Sequence, residues 1–459
     1  MTASPETAAT PGAPDAAATD GPPPLAKNRD FRLLWTGQTV SLVGTEISEV
    51  AFPLLAILTL NASAGDLGLI NAARTLPALA VTLLAGIAVD RMRRRRAMLM
   101  ANLLRAGTVG VVILLAWTNG LSIAALCLLG FLLGSFAIVF DLAHQAALPR
   151  VVRPDDLPAA NSRLETSLNV ARIGGPGLAG GLVSVVKAPG ALVVDLVSYL
   201  VSAVTLGLMR TPDDPPAPRT EKRPPIRTEL MSGLRLVFRN RSLRALTLEA
   251  AVFNFGIQIF LTLFLLYGTR TAGLSTAQLG LAMTIGSAGG LAGALLMPRI
   301  VGRLGLGRTL VRAAVVAGVG PLATVAFTGP GTLVMVMIVL SFFTTLFGVV
   351  VASICTAVLR QCLTPNDMMG RAVSAELFLT GGVLPVAALV AGLLGETIGV
   401  RGAMLVGALI VPLSLLALLN SPVTRLATPE DALAHQAVSP RENGPGNGPE
   451  DESGAGATR

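Results

Sequence analysis

The chain has 459 residues, 52% of them hydrophobic and only 14% charged, with a mean hydropathy of +0.67, a balance that excludes an ordinary water-soluble domain. A net charge of +8 would suggest nucleic acid as the partner of a soluble chain, but in one this apolar the basic residues mark one side of a bilayer, and no nucleic-acid partner is expected. Cys127, Cys355 and Cys362 are scattered and the histidines are only His144 and His435, so the composition offers neither a disulfide framework nor a metal centre.

Residues 1–26 hold Ala, Pro, Thr and Asp without an apolar core, which predicts a disordered cytoplasmic tail with no cleavable signal. Apolar runs long enough for a hydrocarbon core of ~30 Å follow at 33–60, 66–90, 97–117, 121–143, 161–186 and 190–209. After a break come 243–268, 276–300, 309–328, 332–357, 370–396 and 401–420. The break carries six prolines and many basic residues, and Leu230 to Phe238 fits a short amphipathic helix on the membrane surface. The expected fold is therefore an all-α integral membrane protein of twelve transmembrane helices in two parallel six-helix halves, at 27–210 and 242–420. A cytoplasmic linker at 211–241 joins them, and a disordered tail at 421–459 ends the chain.

Loop charge sets the orientation. The odd-numbered connections hold only Lys187, Arg270 and Arg401, whereas the even-numbered ones hold Arg91, Arg93 to Arg96, Arg150, Arg153, Arg303, Arg308 and others, which places both termini in the cytoplasm. A duplication runs at a nearly constant offset: Asp66-Leu67-Gly68-Leu69 returns as Gln278-Leu279-Gly280-Leu281, Arg91 and Arg96 as Arg303 and Arg308, and Gly190-Ala191 as Gly402-Ala403. Matches in one order at one spacing imply halves related about the membrane normal.

The loop after span 2 resembles the signature of the major facilitator superfamily, with Gly86, Asp90, Arg91, Arg94 and Arg95 in place and Arg93 where the family has its second glycine. The resemblance covers about residues 28 to 420. It implies a conformational latch in which Asp90 caps a helix of the opposite half and Arg94 pairs with Asp141 at the inner end of span 4; the plainer reading of the flanking arginines is a topology anchor. Gly174-Gly175-Pro176-Gly177-Leu178-Ala179-Gly180-Gly181 in span 5 partly resembles the antiporter motif of drug exporters, through Gly175, Pro176 and Gly180. Small residues with a proline also suit close, rocking helix packing in any bundle. Asn28-Arg29-Asp30-Phe31-Arg32-Leu33-Leu34-Trp35, Leu148-Pro149-Arg150 and Leu157-Pro158-Ala159-Ala160-Asn161 resemble the branch of macrolide-efflux and enterobactin-exporter-like proteins.

Charge at mid-membrane costs about 2.5–3.5 kcal/mol on insertion scales and needs a reason. Glu46 and Glu49 share one face of span 1 at i,i+3, and counting rise per residue brings Arg74, Arg105 and Arg172 to comparable depths. Either one glutamate, with Glu46 slightly favoured, carries a proton against Arg74 or Arg172, or the pairs are permanent staples. Asp195, Glu249 and Glu376 are expected near the membrane faces in structural roles. Eleven of fifteen phenylalanines fall in spans 1, 4, 7 and 10, which line the central cavity in the superfamily. Phe52, Phe136 and Phe342, with Asn254 and Gln258, are the expected substrate contacts, suited to a large apolar or cationic-amphiphilic small molecule. Phe342 and Phe343 cannot both face a pore, so part of this aromatic surface is expected to meet lipid.

These features predict a monomeric, proton-gradient-driven exporter in a bacterial inner membrane, using no cofactor. The competing readings are a non-transporting scaffold or sensor of the same fold, and a nutrient importer. An enzyme or an ATP-driven pump is disfavoured, since no Gly-x4-Gly-Lys loop is present.

Overall fold

The computed structural model describes residues 23–81, 85, 89, 92–211, 226–327, 331–365, 368–428, 430, 431 and 433, with the side chains of 226–230 left undescribed. The expected tails, residues 212–225 of the linker, and Gly86, Asp90 and Arg91 lie wholly or largely outside this set. In hydrocarbon a backbone must satisfy its own N–H and C=O groups, and the described chain does so almost entirely as helix.

Among the described residues ten helices are long and apolar enough to cross a membrane. One of them, Pro154–Leu208, is two spans folded back at Lys187, whose φ of 61° breaks the helix. Span 2 is described in part as Ala64–Thr75 and Pro77–Ala80. With these two adjustments the twelve expected spans are accounted for. Span 1 is Arg29–Thr59, span 3 Arg94–Trp117 and span 4 Ile123–Val151; spans 5 and 6 are the two limbs at 157–186 and 188–208. Spans 7 to 11 are Arg241–Leu266, Thr276–Leu304, Leu306–Ala326, Gly331–Leu363 and Met369–Thr397, and span 12 runs through Gly399–Leu413 and Leu415–Leu419. Several helices outrun their apolar runs. Span 4 continues to Val151 and span 10 to Leu363, because a helix leaving hydrocarbon keeps its backbone bonds while its side chains turn basic.

The duplication has a physical counterpart at the helix starts. Ser63 caps span 2 and Asp66 reaches back to the Ser63 N–H; Ser275 caps span 8 and Gln278 does the same. Asp66 and Gln278, matched by the repeat, are the third helical residue of the same capping box. The amphipathic linker helix is Ile226–Arg239, longer than the sequence pattern suggests, and it packs on the first turn of span 11, where Gly233 lies against the Arg371 carbonyl.

The two ends of the described chain each pack on a connection at the even-numbered-loop side of the bundle, called here the terminal face. The Leu25 N–H donates to Asp156 in the span 4–5 connection, and the Leu306 N–H at the span 8–9 connection donates to the Ala427 carbonyl. On the opposite face the halves close together: Gly68 of span 2 sits against Gly392 and the Ala388 carbonyl of span 11, and Gly180 of span 5 against Gly280 and the Thr276 carbonyl of span 8. A Cβ at Gly180 would fall 2.3 Å from that oxygen, so only glycine admits this approach. The Gly65 N–H donates to Glu396 Oε1 at 2.8 Å, and Arg270 Nη2 donates to Asn61 Oδ1 at 2.6 Å, both across the halves.

The cores follow the same division. A single apolar cluster takes Leu54, Leu55 and Leu67 from the first half with Leu263, Phe264 and Ala387 from the second. Toward the terminal face it splits: Phe31, Leu34, Met98 and Phe140 pack within the first half, and Leu243, Leu310, Cys355 and Leu418 within the second. The bundle is thus shut at the face opposite the termini and parted at the terminal face.

Candidate functional site

Spans 1, 2, 3, 4 and 6 enclose a cavity of about 380 Å³, to which the second half adds Gln258 and Leu384. Its wall is built on an ion pair: Arg74 Nη2 donates to Glu49 Oε1 at 2.5 Å, with the glutamate side chain 53% exposed and the arginine 17%. The guanidinium also lies 5.1 Å from the centre of the Phe52 ring, a cation–π contact. Span 4 makes room for Arg74 with glycine, since a Cβ at Gly130 would come within 2.7 Å of Arg74 Cγ.

Opposite this pair stands a second polar cluster. Arg105 is 8% exposed and lies 4.2 Å from the centre of the Tyr199 ring. Its Nη2 meets Thr45 Oγ1 at 3.3 Å, and Thr45 also contacts the Tyr199 hydroxyl at 3.2 Å. Ser48 Oγ donates to Asp195 Oδ2 at 2.5 Å, and Ser198 Oγ to Asp195 Oδ1 at 3.3 Å. Asp195, only 1% exposed, is therefore a member of the cavity wall and not a residue of the membrane face as its sequence position suggests. A signal for it was present: Asp195, Ser198, Tyr199 and Ser202 fall at i, i+3, i+4 and i+7, a polar stripe facing Ser41, Thr45 and Ser48 of span 1.

Glu46 belongs to another surface. Arg172 Nε approaches Glu46 Oε1 at 3.7 Å across spans 1 and 5, beside Gly175, where a Cβ would sit 2.5 Å from Glu46 Cβ. The span-5 motif thus serves two contacts. Gly175 admits Glu46, while the Pro176 carbonyl and Gly180 meet Gly280 of the second half.

The five expected substrate contacts do not share one chamber. Phe52 and Gln258 line the central cavity. Asn254 and Phe342 line a separate, more apolar cavity of about 230 Å³ between spans 7, 9 and 10, and Phe136 borders neither. Phe342 of span 10 meets Phe264 of span 7 edge to face at 5.0 Å, on the wall of that second cavity and away from the central one. Glu376 is paired with Arg360 between spans 10 and 11, within one half.

Of the expected latch, Arg94 and Asp141 are described. They are not paired: Arg94 Nη1 donates to the Ala146 carbonyl at 2.9 Å, and Asp141 is exposed at the parted face and makes no ion pair among the described residues. Arg95 instead closes the end of span 6, donating to the Leu206 and Gly207 carbonyls.

Two six-helix halves, shut at one face and parted at the other around a charged chamber, define a membrane transporter of the major facilitator superfamily. Within it, the chain belongs to the family described as transmembrane secretion effector, whose profile matches residues 21–442. It is 29% identical over 392 residues to the multidrug efflux pump Tap of Mycolicibacterium fortuitum, covering 83% of this chain and 93% of that one. It is 24% identical over 227 residues to macrolide efflux protein A of Streptococcus pyogenes, covering 49% of this chain and 55% of that one. The fold also matches the crystal structure of a bacterial homologue of the iron transporter ferroportin in an inward-facing state, with a TM-score of 0.66 and 18% identity over 85% of this chain and 98% of that one.

Proposed function

We propose that this transporter exports hydrophobic or amphiphilic drug-like compounds or secondary metabolites by alternating access, driven by the proton gradient, as a monomer in a bacterial inner membrane. The observation that carries the reading is the Glu49–Arg74 pair, an ionisable couple set in the wall of the central chamber. The similarity to proteins named for multidrug and macrolide efflux supports the direction. The basic even-numbered loops argue for a cytoplasmic terminal face, which makes the present conformation inward-open.

Between the two glutamates of span 1, the geometry favours Glu49 over Glu46 as the proton carrier, because Glu49 lines the cavity and Glu46 packs against span 5. Protonating Glu49 removes its hold on Arg74; losing the proton restores it, so occupancy by a proton and by a substrate can compete for one wall. A scaffold that has lost transport gains nothing from such ions.

The test is efflux of a fluorescent drug from cells and uptake into everted vesicles, with and without an uncoupler. Glu49→Gln should abolish uncoupler-sensitive transport, a drop of roughly tenfold or more, while the purified protein still unfolds cooperatively. Full transport by that variant would sink the assignment of Glu49, and transport indifferent to the uncoupler would sink proton coupling.

A further inference from the structure

Glu249 in span 7 is 5% exposed and, among the described residues, makes no hydrogen bond and no ion pair. Sequence position suggested a structural carboxylate near a membrane face, and the structure gives it no partner to serve. It lines a cavity of about 130 Å³ with Asn254, Ala314, Ser353 and Thr356. That cavity adjoins the apolar one of about 230 Å³, for Phe253, Asn254 and Val349 line both. Neither volume alone suits a drug-sized ligand, but joined they enter the range of such sites.

The chemistry of the joined groove is lopsided. One end holds a single acid; the other holds Phe260 and Phe342; Phe253, one helical turn from Glu249, stands between them. No lysine, arginine or histidine lines either chamber. An acid buried without a counter-charge is costly, and a cation that cannot leave with the solvent is what the surroundings lack.

We propose that Glu249 and the Phe253–Phe260–Phe342 wall form a subsite for a lipophilic monocation, separate from the Glu49–Arg74 chamber. The carboxylate pairs with the ligand's positive centre, Phe253 offers its ring to the same charge, and the far phenylalanines take the apolar body. This inference rests on the reading of the chain as an exporter of amphiphilic compounds and names one substrate class for it.

The experiment measures binding of methyltriphenylphosphonium and of neutral triphenylphosphine oxide, nearly equal in shape, to the purified full-length chain. Glu249→Gln should weaken the cation at least about tenfold and leave the neutral compound within about threefold or tighter. Glu249→Asp, which keeps the charge, should retain most of the cation preference. Should the glutamine variant fail to fold, Ser353→Cys leaves Glu249 in place, and the cation should shield that cysteine from a thiol reagent, read by mass spectrometry. Unchanged cation affinity in Glu249→Gln, equal loss of both compounds, or no shielding at position 353 overturns the subsite. Ethidium efflux from cells decides the export reading separately. Efflux by the wild type without cation binding overturns the subsite alone, and cation binding without any efflux overturns export and leaves the subsite standing.

Discussion

Gly175 carries more of the site than its size suggests. With its hydrogen replaced by a methyl group, Glu46 would have to move, since the new carbon would lie 2.5 Å from Glu46 Cβ. Gly175→Ala should therefore destabilise the protein by about 1–3 kcal/mol, as overpacking does elsewhere, read as a lower midpoint of thermal unfolding in detergent. Tyr199→Phe is a milder probe. It removes the hydroxyl contact to Thr45 but keeps the ring under Arg105, so a loss of about 0.5–1.5 kcal/mol with transport retained is expected. At this scale the sequence was legible for some of the intramembrane charges and not for others. The cost of ions in hydrocarbon singled out Glu49, Arg74, Glu46 and Arg172, and the structure brings them together as two pairs. Asp195, expected near a membrane face, lines the cavity because it faces span 1, and the polar stripe through Ser198 and Tyr199 carries that information.

Helices show the same mixture. Their number, their order and the repeated capping boxes follow from apolar length and from Asp66 and Gln278, both readable in the chain. Partnership between chambers was not readable. Whether Asn254 and Phe342 share a cavity with Phe52 depends on how far spans 7 and 10 have closed, and composition is blind to that. Close helix approach was only half visible. The span-5 glycines drew notice as a motif, yet the reason for Gly180 is Gly280 in the other half, 100 residues away by numbering and in direct van der Waals reach in space. Gly180→Leu should wedge spans 5 and 8 apart and favour the conformation in which the opposite face opens. Cysteines placed at that face should then react faster with an impermeant thiol reagent; an unaltered rate would contradict the role given to the seam.

For the whole molecule, alternation requires each closed face to be held by contacts that the other conformation gives up. In this conformation the holding contacts are Glu396 at the start of span 2 and Arg270 on Asn61. A carboxylate at a helix N-terminus is favoured by the unpaired N–H groups and the helix dipole. Glu396→Gln should accordingly shift the balance between the two conformations about two- to fivefold toward the one open opposite the termini, measurable by double electron–electron resonance between labelled span ends. The arrangement has the logic expected of Asp90 on the other side, a carboxylate from one half capping a helix of the other, though Asp90 itself lies outside the described residues. Arg94 and Asp141 both belong to the first half and are not paired with each other in this conformation.

The linker has its two ends anchored to different halves. Asp30 in span 1 accepts the backbone N–H groups of Arg210 and Thr211, and Gly233 is seated on span 11. Cutting the chain between those anchors would break no contact described above. The gene could then be severed there and the two pieces supplied separately, each bringing its own core and its own anchor, to reassemble through the glycine seams into a working pair.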